Sequence, residues 1–282
     1  MKVIWVFENI KEDNSFYTKL DTLLLLSSVI QWKKHHPEHT TVLYCDNLTR
    51  SFLVNLSAFN LWDFIEPLPK NNFVDKSIFW ASSKAEVLRN IKDPVILLDH
   101  DFLVFKSLKD FIKDTPLFAH EEDGVRYYPT ANDPFINEIT DLIPRPKPFA
   151  INCCFSYFPD YKFANRYAKF ALELMTRFTD MKVPNSKFLI FAEQLSLKHL
   201  LDFHNIEYEL LMQEIFLANE RKFVPYDKGL INKNDVYKYF RHYWMDKPDI
   251  RKDNNCVDYI NLVSIVKQKK QINLKLLDDL KP

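Results

Sequence analysis

Two glycines, Gly124 and Gly229, are all that the chain contains in 282 residues. Loops that cradle phosphate with backbone amides need several glycines close together, because glycine alone adopts the required left-handed turns at little cost. A G-x-G-x-x-G turn and a Walker A loop are therefore both absent. That excludes the usual dinucleotide-binding and P-loop folds, along with the glycine-rich signature loop of nucleotidyltransferases. A nucleoside diphosphate, if bound, must be held by metal and side chains.

With that route closed, hydrophobic periodicity sets the fold class. Apolar, strand-like runs at residues 3–7, 41–45, 64–67 and 95–98 alternate with helical patterns at 21–34, 49–59 and 76–90. This β-α-β-α rhythm predicts an α/β fold with a mostly parallel sheet. Turn clusters at 35–39 and 67–72 separate the segments, and His35-His36-Pro37-Glu38-His39 reads as a solvated loop rather than a metal site.

The second half is less regular. A strand at 117–120 precedes a polar, proline-rich stretch at 121–148, and a strand at 150–158 follows, on which Cys153 and Cys154 should face opposite sides. Helices at 161–179 and 192–204, a strand near 208–212, a loop-rich segment to 248 and a helix at 257–267 complete the pattern. An irregular connection as long as 121–148 is usually functional. Repeats, low-complexity segments and dividing linkers are absent from the sequence.

Charge and cysteine usage narrow the partners. Lys plus Arg equals Asp plus Glu at 38 each, so no overall field draws the chain to nucleic acid or to an anionic membrane. The longest apolar run, 23–30, is far short of the ~20 residues of a membrane span. The first seven residues are too few for a secretory signal and are expected to form a buried strand. Cys45, Cys153, Cys154 and Cys256 lack C-x-x-C spacing, so reduced, mostly buried thiols and a cytoplasmic location are expected.

The segment Val95-Ile96-Leu97-Leu98-Asp99-His100-Asp101-Phe102-Leu103-Val104 is an apolar strand ending in two acids one residue apart. Residues i and i+2 of an extended chain point to the same side, so both carboxylates can face one cation, while His100 should point away. Ligands of open α/β sheets gather at the carboxyl ends of strands, where this pair falls. Two close acids repel unless a cation lies between them, and hard ions such as Mg²⁺ or Mn²⁺ suit oxygen ligands better than zinc does. Phosphohydrolases of the haloacid dehalogenase kind use D-x-D-x-[TV], but Leu103 occupies the fifth position here.

Five landmarks in order, Lys84 in Ser82-Ser83-Lys84-Ala85-Glu86-Val87-Leu88, then Asp99-His100-Asp101, Ile151-Asn152-Cys153-Cys154, Glu193-Gln194, and His242 with Lys247-Pro248, resemble those of GT-A glycosyltransferases. The pattern is most similar to the glycogenin-like and lipopolysaccharide-galactosyltransferase-like retaining enzymes, over residues 1–250. The resemblance implies a Rossmann-like nucleotide-diphospho-sugar transferase fold, with a central, mostly parallel sheet flanked by helices. It implies one domain over 1–282: a nucleotide-binding half at 1–115, a sugar- and acceptor-binding half at 116–250, and a helical tail at 251–282.

The resemblance also implies roles. Lys84 would contact the nucleotide sugar, although a surface lysine fits the sequence equally well. Asp99 and Asp101 would bind the Mn²⁺ or Mg²⁺ that bridges the diphosphate, with Asp99 also part of the donor site, His242 the third ligand and Lys247 on the diphosphate. The family usually has one more residue between that His and Lys, and a glycine where Met245 stands. A histidine satisfied within the aromatic cluster Tyr237, Tyr239, Tyr243 and Trp244 is thus the competing reading of His242. Asn152 would line the sugar, with Cys153 and Cys154 in place of a small residue and glycine. Glu193-Gln194 matches an acid-Gln pair near the sugar, or else an acidic helix start complementing the dipole. Glu193 would be the general base of an inverting enzyme; in a retaining one, Asn152 and Gln194 would line the sugar face.

The expected function is metal-dependent transfer from a nucleoside-diphosphate sugar, a UDP-sugar foremost, to a glycan or other hydroxyl acceptor with retention. Segment 121–150 is the expected acceptor wall. A metal-dependent phosphohydrolase and an inert nucleotide- or glycan-binding domain are the alternatives.

Overall fold

The apolar runs of the amino-terminal half fold as neighbouring strands. A computed structural model describes residues 1–8, 18–70, 73–124, 129, 133–143, 149–185, 187–278 and 280. Lys2–Phe7 pairs in parallel with Thr40–Cys45, which pairs in parallel with Phe64–Pro67. Val95–Leu98 lies on the other side of Lys2–Phe7 and is buried throughout. Parallel neighbours need crossover connections, and the helices Lys19–His35 and Asn47–Asn55 supply them. This mostly parallel sheet with helices is the α/β architecture expected from the sequence.

The chain divides into two compact units, one made of Met1–Leu68, Ile96–Asp110 and Val236–Pro282, the other of Pro69–Val95 and Phe111–Asp235. In the first unit the helix Lys19–His35 buries Leu20 and every residue from Thr22 to Trp32. A helix apolar on all sides needs cover on more than one, and Phe102–Val104 and Val257–Lys267 both pack against it. Its buried hydroxyls are satisfied: Trp5 Nε1 donates to Ser28 Oγ at 2.9 Å, and Ser28 Oγ donates to the Phe102 carbonyl at 2.8 Å.

In the second unit Leu117–Phe118 lies between Phe155–Phe158, antiparallel, and Glu209–Leu210, parallel. A separate four-stranded sheet runs in the order Lys222–Pro225, Glu214–Leu217, Glu121–Asp123, Phe149–Ile151. The helix Tyr161–Asp180 buries Phe163, Tyr167, Ala171, Leu174 and Phe178 along one stripe. Asn165 Nδ2 from that helix donates to the carbonyls of Leu88 and Ile91, at the end of the helix Ser82–Leu88.

Several expected elements have different limits. The helix expected at 76–90 begins only at Ser82, because Asp75 organises turns that accept from Ser77, Ile78 and Phe79. The strand expected at 150–158 is broken: Asn152 Oδ1 accepts the Cys154 N–H at 3.0 Å, and this side-chain turn separates Phe149–Ile151 from Phe155–Phe158. Cys153 and Cys154 are therefore both buried beside a turn rather than on opposite faces of a strand.

Scarce glycine leaves its mark on the helix ends. Ser57, Lys182 and Asn205 take the left-handed conformation that usually falls to glycine after a helix. In each case the next residue closes the end, with Ala58, Val183 and Ile206 donating to Leu53, Phe178 and Leu201. Gly229 is not replaceable in this way, since at φ +121° a Cβ would lie 2.2 Å from the Met212 carbonyl oxygen.

Candidate metal centre

Asp99 ends the buried strand Val95–Leu98, and the Phe102 N–H donates to the Asp99 carbonyl at 3.2 Å. The two acids are thus carried by a tight turn, not by the continued strand that the sequence suggests. Phe102–Val104 then pairs antiparallel with Phe240–His242, with His242 opposite Phe102. A further bond from the Tyr243 N–H to the Asp101 carbonyl at 3.0 Å fixes this register. His242 Nε2 consequently lies 3.4 Å from Asp101 Oδ1, and the ligand atoms of Asp99, Asp101 and His242 all fall within 4.8 Å of one another.

Asp101 is 4% exposed. Its Oδ2 meets Lys247 Nζ at 2.8 Å, while Oδ1 makes no hydrogen bond. Burial alone would raise the pKa of this carboxyl, but Lys247, His242 and His100 outweigh it and hold the group well below the usual carboxylate range. Burial likewise pulls Lys247 down, and Asp101 and Asp21 overcompensate, so its pKa is raised. An ionised, buried acid with an unsatisfied oxygen fits a divalent cation. Two carboxylates and one imidazole are a donor set that suits Mn²⁺ and tolerates Mg²⁺.

His242 touches the rings of Phe102 and Trp244, at centroid distances of 6.5 and 5.9 Å. Its Nδ1 is buried without a hydrogen bond, so the aromatic surroundings do not satisfy its polar atoms. Asp21 also belongs to this cluster, and so does His100, which was expected to point away from the two acids. His100 Nε2 lies 3.0 Å from Lys247 Nζ, and Asp21 Oδ1 lies 3.4 Å from the same ammonium. Asp21 in the first turn of a helix looks like an ordinary dipole partner, and only the tertiary structure connects it with Lys247.

The second unit holds the remaining expected residues. Lys84 Nζ lies 3.1 Å from Glu193 Oε1, so two residues assigned separate roles form an ion pair. Glu193 and Gln194 do not open a helix. They lie in a π-helical turn, Phe191–Leu195, between the α-helical segments Lys187–Ile190 and Ser196–Phe203. Mid-helix turns of this kind recur at functional sites, and the dipole reading of Glu193 lapses with the helix start. Asn152 Nδ2 donates to Glu122 Oε1 at 2.6 Å. Glu121, next along the strand, accepts from Tyr208 and Tyr226. Of the expected acceptor wall, residues 125–128, 130–132 and 144–148 lie outside the described residues.

A second trio in the first unit has similar spacing. Ligand atoms of His36, Glu38 and His39 also lie within 4.8 Å of one another. Pro37 and Glu38 of the expected solvated loop are exposed, but two of its histidines form a buried stack: His36 is 0% exposed, its ring lies 4.4 Å from Trp32, and His39 stacks on it at 5.2 Å. The Leu108 N–H donates to His36 Nε2 at 3.1 Å.

No family model matches the chain, and no curated protein matches it. Among solved structures it is similar to the PaToxG glycosyltransferase, at 13% identity and a TM-score of 0.43, covering 72% of this chain and 69% of that one. It is similar to the galactosyltransferase LgtC in complex with donor and acceptor sugar analogues, at 12% identity and a TM-score of 0.39, covering 69% of this chain and 71% of that one. It is also similar to the apo-form glycosyltransferase GlyE of Streptococcus pneumoniae, at 9% identity and a TM-score of 0.40, covering 73% of this chain and 44% of that one. Likeness at this level leaves the function to be argued from the side chains.

Proposed function

We propose that the chain is a metal-dependent glycosyltransferase that moves a sugar from a nucleoside-diphosphate sugar, a UDP-sugar foremost, to a glycan or other hydroxyl acceptor with retention of configuration. The observation that carries this reading is Asp101, an acid 4% exposed and held ionised, with one oxygen on Lys247 and the other without a hydrogen bond beside His242. Asp99, Asp101 and His242 would hold Mn²⁺ or Mg²⁺. Such an ion supplies electrostatic stabilisation of a departing diphosphate.

Lys247 donates from its ammonium to a diphosphate oxygen, adding charge stabilisation where negative charge grows. Lys84 contacts the donor, and its pairing with Glu193 keeps both charges compensated until the donor arrives. Gln194 and Asn152 line the sugar; Glu122 orients the Asn152 amide through its Nδ2. With Glu193 bound to a lysine, it serves as a charge that positions donor contacts, in keeping with retention. The chain 1–282 acts as one transferase. A cytoplasmic setting agrees with four cysteines without disulfides, among which burial pushes the Cys45 thiol up to about 12. No described helix is long and apolar enough to cross a membrane.

The test is a panel of nucleotide sugars incubated with the full chain and Mn²⁺, with release of nucleoside diphosphate as readout. Metal-dependent release from at least one UDP-sugar, abolished by EDTA, is expected. Release of phosphate from small phosphomonoesters with no turnover of any nucleotide sugar would replace the transferase by a phosphohydrolase.

A further inference from the structure

Lys247 is fully engaged. Its ammonium offers three N–H donors and lies against Asp101 Oδ2 at 2.8 Å, His100 Nε2 at 3.0 Å and Asp21 Oδ1 at 3.4 Å, the ring nitrogen accepting only when the His100 proton is on Nδ1. With Asp99, Asp101 and His242 holding a cation, the Asp101 charge would be shared with that ion and the Lys247 ammonium would be repelled. The shortest of the three contacts then weakens, and a buried lysine without a counter-charge is costly.

Asp21 is placed to take over. The Thr18 hydroxyl donates to its Oδ2 at 2.6 Å, and its Oδ1 lies 3.4 Å from the Lys247 ammonium. Arg251 Nη2 donates to both oxygens of this carboxylate, at 3.1 Å to Oδ2 and 3.3 Å to Oδ1, and His100 Nε2 lies 3.5 Å from Oδ1. The Asp21 side chain is 17% exposed, and that of Lys247 is 16% exposed, so water screens their interaction weakly. Asp99 cannot serve as the second partner, because it is itself one of the cation ligands.

We propose that Asp21 is a positioning residue that receives the Lys247 ammonium from Asp101 when a divalent cation enters, so that lysine and cation do not compete for one carboxylate. The inference rests on Asp99, Asp101 and His242 being the cation site. It assigns Asp21 a role through Lys247 and not as a ligand or a catalytic group.

Calorimetric titration of Mn²⁺ into the full chain without nucleotide tests it, using wild type, Asp21→Asn, Lys247→Met and the double variant, with folding checked by circular dichroism. Removing Lys247 should tighten Mn²⁺ binding several-fold. Asp21→Asn should weaken binding about three- to tenfold in the wild-type background and by less than about twofold in the Lys247→Met background, a coupling of the size seen for contacting residues. An equal loss in both backgrounds would mean that Asp21 acts only as one more negative charge, and would overturn the inference. So would unchanged affinity in the Asp21→Asn single variant. Wild type without saturable Mn²⁺ binding overturns the cation site itself and the role of Asp21 with it. Should Asp21→Asn not fold, Asp21→Ser repeats the same cycle with a smaller side chain suited to a first helical turn.

Discussion

Two trios in the first unit each gather three ligand atoms within 4.8 Å, yet their chemistry is opposite. In His36, Glu38 and His39, the Leu108 N–H already points at His36 Nε2, so the neutral ring must carry its proton on Nδ1. The nitrogen facing Glu38 Oε1 at 4.0 Å is thus a donor without a lone pair to give. In Asp99, Asp101 and His242, the Asp101 oxygen 3.4 Å from His242 Nε2 has no partner besides that ring and is held anionic. Proximity of ligand atoms is common to both; what separates them is that His36 has already committed its acceptor nitrogen, while Asp101 keeps an anionic oxygen.

Substituting each trio in turn gives the largest contrast. Asp101→Asn removes the anionic oxygen and should weaken Mn²⁺ binding by at least about 100-fold, equivalent to about 2.7 kcal/mol. Glu38→Gln should leave it within about twofold. Calorimetry on the two proteins decides the matter, and equal losses would erase the distinction.

Stability should respond the other way. His36→Leu strands the Leu108 N–H and is expected to cost about 2 kcal/mol in urea unfolding without altering Mn²⁺ affinity. Burial lowers the His36 pKa to about 4, while its unfolded value is near 6.5. The unfolded chain therefore binds the extra proton first as pH falls, and the stabilising contribution, complete above about 6.5, is lost progressively towards about 4. The drop in unfolding free energy between these limits should be smaller in His36→Leu than in wild type. Matching acid profiles would show that His36 titrates normally.

The smallest effect tests the third ligand. His242→Asn keeps a polar group on the strand Phe240–His242 and should weaken Mn²⁺ about tenfold, about 1.4 kcal/mol. No change would reduce the site to its two acids.

Much of the sheet was legible in the sequence because its signals are local. The strands 64–67 and 95–98 and the helix 257–267 fall where apolar periodicity puts them. The shared side of Asp99 and Asp101 was legible for a partly mistaken reason, since a turn and not an extended strand brings it about. What escaped depends on partners far along the chain. The turn at Asn152 uses Glu122, the burial of His36 uses Leu108, and Asp21 meets Lys247 across 226 positions. The π-helical turn under Glu193 and Gln194 has no signature in residue type or spacing.

Crystals of the full chain soaked in Mn²⁺ with UDP, measured at the manganese absorption edge, locate the ion directly. A single anomalous peak among Asp99, Asp101 and His242, with Lys247 withdrawn from Asp101, is the expected outcome. A peak between His36 and His39, or none at the acid pair under saturating Mn²⁺, would contradict the assignment of Asp99 and Asp101 as the cation's ligands.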